Sequence, residues 1–141
     1  MNDMPPGGLA IQVAGALHAL GSRLEEALEP LGLSLAKLGA LSKLVAAAEP
    51  LPLRTLAERL ACVRSNITQL VDRLEAEKLV RRVDDREDRR SVLAELTAEG
   101  RSRHAAGLRA LEKAERAALS GLSPKQQADL LRLLRSLRGE G

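Results

Sequence analysis

The 141-residue chain contains no phenylalanine, tryptophan or tyrosine. Leucine, valine, isoleucine and alanine must therefore fill its interior, and a core of that kind favours helices over sheets. No phenylalanine, tyrosine or tryptophan ring can stack on the ring of a ligand. Cys62 is the single cysteine, so an intrachain disulfide is excluded and a reducing cytoplasm is the expected compartment. No apolar run approaches the roughly 20 residues that span a bilayer. The opening "MNDMPPGGLA" lacks the basic and then apolar order of a signal peptide, so no membrane partner is expected. His18 and His104 are isolated from each other and from Cys62. No metal-ligand spacing is recognisable, and no metal or cofactor is expected. Neither a nucleophile–base pair nor a phosphate loop is apparent, which argues against an enzyme and leaves no catalytic residue to name.

What is present is an ordinary globular balance, 45% apolar and 29% charged, enough for one domain with its own core. The net charge of +3 and isoelectric point near 9.5 permit a nucleic-acid partner without demanding one.

Helical spacing dominates. Val13, Leu17, Leu20, Leu24 and Leu28 recur on one face until Pro30, after a tail over Met1 to Gly8 expected to fray. Ser34 caps a second helix carrying Leu35, Leu38, Leu41, Leu44 and Val45, which closes before Pro50. Leu51-Pro52-Leu53 reads as an extended connector. Two short helices follow, one from about Arg54 to Leu60 with Leu56, Ala57 and Leu60 inward, the other from about Arg64 to Glu77 with Ile67, Leu70, Val71 and Leu74 inward. Only Ala61-Cys62-Val63 separates them, which is a helix-turn-helix arrangement. Leu79–Val83 and Ser91–Leu96 then read as strands. Thr97 is a plausible N-cap for a long helix to about Leu119, with Leu108, Leu111, Ala114 and Ala118 on one side. Ser123-Pro124-Lys125-Gln126 opens a last helix with a capping box, and Leu130, Leu131, Leu133, Leu134 and Leu137 give it an apolar surface wide enough for contacts on two sides.

Two features point to function. The helix from Arg64 sets Ser65, Asn66, Gln69, Asp72 and Arg73 opposite its apolar face, and Ser, Asn, Gln and Arg are the side chains that bond base edges and phosphates. A plain solvated face carries more Glu and Lys. Between the two strands lies "DDREDRR", Asp84 to Arg90, seven charges summing to −1. Framed by β-compatible runs, it is the tip of a hairpin rather than a linker, and a helix-turn-helix followed by a hairpin is a winged helix.

From Leu53 to Arg101 the chain reads "LRTLAERLACVRSNITQLVDRLEAEKLVRRVDDREDRRSVLAELTAEGR". It resembles the MarR family of bacterial transcription regulators in "LA..L", "T..VDRLE...LV.R" and "D..DRR...V.LT..G", and the flanking helices match the family's layout. The resemblance implies a mainly α (α+β) fold: a winged helix-turn-helix with a two-stranded wing over residues 34–96, and N- and C-terminal dimerisation helices over 9–29 and 97–138 of a single 1–141 domain. It implies a homodimeric, sequence-specific repressor of a pseudo-palindromic operator in double-stranded DNA, released by a small-molecule effector. Arg64, Ser65, Asn66, Thr68, Gln69 and Arg73 would face the major groove, and Arg86, Arg89 and Arg90 would sit on the wing. Arg90 stands where the family keeps its minor-groove arginine and Asp88 where it keeps the acid that orients it. Relatives bind aromatic acids or phenols between the dimer helices and the winged domain; here such a pocket would be aliphatic, with His18 at its edge. The alternative is a helical protein-interaction module that kept the fold and lost the DNA.

Three positions depart from the family pattern. Ala61 replaces a turn glycine, Val63 a capping serine, and Lys78 the glycine that ends the recognition helix. Cys62 falls where valine is common and lacks the tyrosine surroundings of peroxide-sensing relatives, so it reads as a packed turn residue.

Overall fold

Three of the helices begin where the sequence supplies a side-chain cap. The computed structural model describes residues 6–61 and 64–140, with the backbone alone at positions 64 and 65. Helix α1, Gly8–Leu28, runs into a 3-10 turn at Glu29–Leu31 that Gly32 ends at φ 68°. Ser34 opens α2, Leu35–Ala47, its hydroxyl accepting the Lys37 backbone N–H at 3.1 Å. Strand β1 is Leu51–Pro52, α3 is Leu53–Arg59, α4 is Arg64–Ala76, β2 is Val80–Asp84 and β3 is Val92–Leu96. Thr97 caps α5, Ala98–Ala118, and Ser123 with Gln126 forms the capping box of α6, Pro124–Leu137. Among the described residues no single helix is long and apolar enough to cross a membrane.

The sheet has three strands rather than two, in the order β1-β3-β2. Leu51 lies opposite Ala94 and Pro52 opposite Leu93, so the expected connector is an edge strand, where a proline's missing N–H costs no ladder bond. Strand β2 begins at Val80 and includes Asp84, which shortens the hairpin tip to 85–91. Leu28, Leu38, Leu41, Leu44, Leu56, Ile67, Val71, Leu74, Leu79, Val80 and Ala94 form the core with little or no exposure. Burying a leucine of this kind contributes about 1.5–3 kcal/mol.

Helix α5 turns inward a stripe that joins the expected Leu111, Ala114 and Ala118 to Gly100, His104 and Gly107, and leaves the expected Leu108 out. Gly100, His104 and Gly107 are buried, Leu111 half-buried, and Leu108 is 47% exposed. The glycines let α5 ride close: a Cβ at Gly107 would stand 2.8 Å from Leu38 Cδ1 and 2.9 Å from Leu33 Cδ1. His104 shares a 2.9 Å hydrogen bond between Nε2 and the Ser42 hydroxyl of α2. Burial, helped by the charge of Arg101, lowers the pKa of this imidazole.

The start of α5 also holds the end of α4. Thr97 donates through its hydroxyl to the Lys78 and Leu79 carbonyls, at 2.7 and 2.9 Å, and through its backbone N–H to Leu79 at 3.1 Å. The same hydroxyl accepts the Gly100 N–H at 2.9 Å. Gly100 sits so near the Leu79 carbonyl that a Cβ there would run into the oxygen. Threonine and glycine three residues apart are thus a single device. Lys78 and Ala61, standing where the family pattern has glycine, both take the left-handed conformation, at φ 63° and 52°. Val63 and Cys62 lie outside the described residues.

The two ends of the chain bury little. Leu28 is the one buried residue of α1, and α6 buries none. Leu17 and Leu137 are each 69% exposed, with Leu9, Ile11, Leu131, Leu133 and Leu134 also uncovered.

Two substitutions test the turn in opposite directions. Lys78→Gly should raise stability by up to about 1 kcal/mol by removing the left-handed strain. Gly100→Ala should lower it by about 1–3 kcal/mol, because the new methyl meets backbone rather than a yielding side chain. Urea unfolding of the two variants beside the parent gives both signs, and a neutral Gly100→Ala would show that the turn can shift aside.

Candidate nucleic-acid interface

The polar face of α4 follows from its periodicity. With Ile67, Val71 and Leu74 buried and Leu70 half-buried, Asn66, Thr68, Gln69, Asp72 and Arg73 are left exposed. Asn66, Gln69 and Arg73 follow one another at i, i+3 and i+7, which puts them on one stripe. The side chains of Arg64 and Ser65, assigned to the same face, lie outside the described residues.

Asp72 does not simply face solvent. It pairs with Arg82 of β2, and that pairing reaches along the helix. The Arg82 guanidinium also donates to Glu75 Oε1 at 2.8 Å and to the Thr68 carbonyl at 3.3 Å, while the Arg82 backbone N–H donates to Glu75 Oε2 at 2.8 Å. The Arg82 backbone and side-chain bonds together hold the Glu75 carboxyl below its ordinary value. Strand alternation separates the two neighbouring arginines. Arg82 points toward α4, and Arg81 lies opposite Glu95 and pairs with it across the other face of the sheet. This cluster escaped the sequence reading. Its signal was there in the stripe Thr68, Asp72, Glu75 on a helix facing a strand with alternating arginine, but the pairing partner is ten residues away from Asp72.

The wing tip is built from two successive aspartate turns. Asp85 Oδ1 accepts the Glu87 N–H and Asp88 Oδ1 accepts the Arg90 N–H, both at 3.0 Å. A short carboxylate bonding the backbone two residues on is what Asp does better than Glu. The Ser91 N–H donates to the Asp88 carbonyl at 3.0 Å, closing the loop. Asp88 therefore holds the backbone of Arg90 rather than its guanidinium. Among the described residues Arg86, Arg89 and Arg90 make no ion pair, and all three are exposed.

Helix and wing adjoin. A cleft of about 500 Å³ is lined by Leu53 and Arg54 of α3, Ile67 and Thr68 of α4, and Asp88, Arg90, Ser91 and Val92 of the hairpin. It brings Thr68 and Arg90 to one place and adds Arg54, which sequence reasoning did not single out. His18 lies elsewhere, exposed on α1 at a shallow depression bordered by Leu17, Ser22, Glu25 and Leu35.

A helix-turn-helix completed by a hairpin and a third short strand, between long terminal helices, is a winged helix of regulator type. Residues 33–92 match the family model described as the MarR family. The chain is 38% identical over 88 residues to an uncharacterized HTH-type transcriptional regulator of Bacillus subtilis (strain 168), YkoM, a match covering 61% of this chain and 56% of that protein. The aligned part thus spans about half the length of that curated relative. A probable transcriptional regulator from Pseudomonas aeruginosa superposes with a TM-score of 0.81 at 29% identity, over 92% of this chain and 96% of that one. A MarR variant from E. coli complexed with operator DNA has the same fold, with a TM-score of 0.81 at 22% identity, over 92% of each chain. The winged-helix part of the chain matches the MarR family, whose members are transcriptional regulators and not enzymes.

The Glu75 shift has a definite sign in acid. A carboxyl depressed on folding stabilises the protein above its unfolded value, and that contribution disappears as the pH falls through the folded value. The stability gap between the parent and Glu75→Gln should therefore be widest at neutral pH and shrink below the ordinary carboxylate value near 4.5. Urea unfolding at several pH values down to about 3.5 measures it; a gap independent of pH would mean the ion pair adds nothing.

Proposed function

We propose that this protein is a homodimeric, sequence-specific DNA-binding repressor that a small-molecule effector releases. The observation that carries the reading is that α4, whose exposed face carries Asn66, Gln69 and Arg73, meets the wing tip at one cleft, through Thr68 and Arg90, and that the tip's arginines make no ion pair among the described residues. The helix enters a major groove. Asn66 and Gln69 read base edges there, their amides matching adenine's donor and acceptor, and Arg64, Ser65, Thr68 and Arg73 hold phosphates. Arg90 enters the adjacent minor groove, where a narrow groove concentrates negative potential, and Arg86 and Arg89 take the flanking phosphates. The uncovered leucines of α1 and α6 pair with those of a second copy, so the target is a pseudo-palindrome with half-sites about one helical turn apart. The operator DNA held by the E. coli relative of the same fold supports this reading. The effector site is the depression lined by Leu17, His18 and Leu35 together with Ser22, Glu25 and Glu26, beside the α1 surface proposed for dimerisation.

A protein-interaction module of the same fold has no use for a stripe of amides next to three arginines without ion pairs among the described residues, and no observation favours it.

Selection of bound fragments from random duplex DNA tests the whole reading, with light scattering on the protein alone at micromolar concentration. A recovered pseudo-palindrome and a dimer are expected; a monomer, or no enrichment, would overturn it. Within the selected site, Gln69→Ala should relax preference at one position per half-site, while Arg73→Ala should weaken all sequences alike. Unchanged selectivity in Gln69→Ala would remove that residue from the reading set.

The acids of the tip give a second test, because two accounts of them differ in sign. If Asp88 only adds negative charge near a polyanion, Asp88→Ala tightens DNA binding. If its bond to the Arg90 N–H holds the loop in the form that presents Arg90, Asp88→Ala weakens binding, as Arg90→Ala does but by less. The second outcome is expected in a titration at one fixed salt concentration, and tighter binding would refute the bracing role.

A further inference from the structure

The cluster around Arg82 has no place in the contacts proposed with DNA, yet it is the most heavily bonded charge between the two surfaces that make them. One guanidinium reaches Thr68, Asp72 and Glu75, which stand one turn after another along α4. Its own backbone, at the base of the wing, is fixed by Glu75 at the same time. Arg82 is 26% exposed at its side chain, less than either acid it pairs with, at 60% and 40%. It therefore sits under the helix rather than on the outer surface. A planar fork that contacts three successive turns resists rotation of the helix about its axis as well as sliding along it, which a lysine's single ammonium does not.

We infer that Arg82 is a positioning residue: without touching DNA, it sets the angle between the α4 stripe and the wing, and so the match between major-groove and minor-groove contacts. The inference rests on the DNA-binding reading above. Asp72 and Glu75 take part as the anchors of that clamp. This explains why two acids are tolerated beside a surface proposed to meet a polyanion.

Electrostatics alone and the clamp predict opposite signs here. Asp72→Ala removes a negative charge next to the DNA face and puts a good helix former in its place, so charge alone makes binding tighter. The clamp makes binding to the selected duplex weaker, by about tenfold, while binding to a scrambled duplex of the same length hardly changes. Arg82→Lys keeps the charge and loses the fork. It should weaken the selected duplex in the same way and leave the salt dependence of binding as in the parent. Arg82→Gln, which removes the charge as well, should also leave that slope unchanged, whereas the loss of a direct phosphate contact would lower it by about 0.9. Either a tighter Asp72→Ala complex or a reduced slope for Arg82→Gln would overturn the inference, as would equal losses on the selected and scrambled duplexes.

A readout without DNA keeps this proposal separate from the one beneath it. Amide hydrogen exchange in α4 should quicken in Asp72→Ala and Arg82→Lys if Arg82 holds the helix, and stay at the parent rate if it does not. A parent that enriches no duplex while its variants exchange faster in α4 would sink the DNA reading and leave the clamp standing.

Discussion

The winged half of this protein depends on one close approach, that of Gly100 to the carbonyl oxygen of Leu79. The oxygen receives the Thr97 hydroxyl and the Thr97 N–H, so a buried turn at the end of α4 has its backbone satisfied by the first residues of α5 rather than by water. Lys78 must then take a left-handed conformation, and Leu79 drops fully into the core. The end of α4, the start of β2, the end of β3 and the start of α5 all meet at that point. Because packed turns do not deform gradually, a shift of α5 would carry α4 and the wing together instead of parting them.

Net charge is a poor guide to what the arginines do. Arg81, Arg82 and Arg103 are spent inside the chain, on Glu95, on the α4 acids, and on Glu99 with the Leu31 carbonyl. Arg86, Arg89 and Arg90 have no ion pair among the described residues, although they sit in the most acid-rich stretch of the sequence. Two of the acids beside them, Asp85 and Asp88, are occupied with backbone N–H groups. A run that sums to −1 can therefore present three uncommitted guanidinium groups, since a carboxylate engaged by its own loop is not reaching for its neighbour's side chain.

The same distinction separates what was legible in the sequence from what was not. Capped helices were legible, since Ser34, Thr97 and Ser123 each announce a start through a local bond. The hairpin was legible from its change of period, and the strain at Ala61 and Lys78 from the glycines the family pattern puts there. Three features depend on partners distant in sequence and were not. Pro52 shows an extended backbone but not that Leu93 lies beside it. Asp72 shows an exposed position on its helix but not the arginine that claims it. The inward face of α5 was read only along Leu111, Ala114 and Ala118, with Leu108 wrongly added, because close packing nearer its start is done by Gly100 and Gly107, which carry no hydrophobic signal of their own.

Helix α6 brings the argument to the assembly. It has a capping box and a proline at its first position, but these local devices contribute only about 1 kcal/mol each. A 14-residue helix is marginal in water on its own account, and this one buries none of its residues in the chain. Its leucines repeat on a wide surface, and α1, at the other end of the sequence, leaves Leu9, Ile11 and Leu17 equally bare. Removing such surface from water is worth about 25 cal/mol per Å², which makes the two uncovered faces the largest unspent source of stability in the molecule. In the proposed dimer each would supply the other's missing core. The order of the terminal helices and the pairing of the copies would then be one equilibrium, dependent on protein concentration. The spacing of two recognition helices on DNA would be set by residues that never approach it.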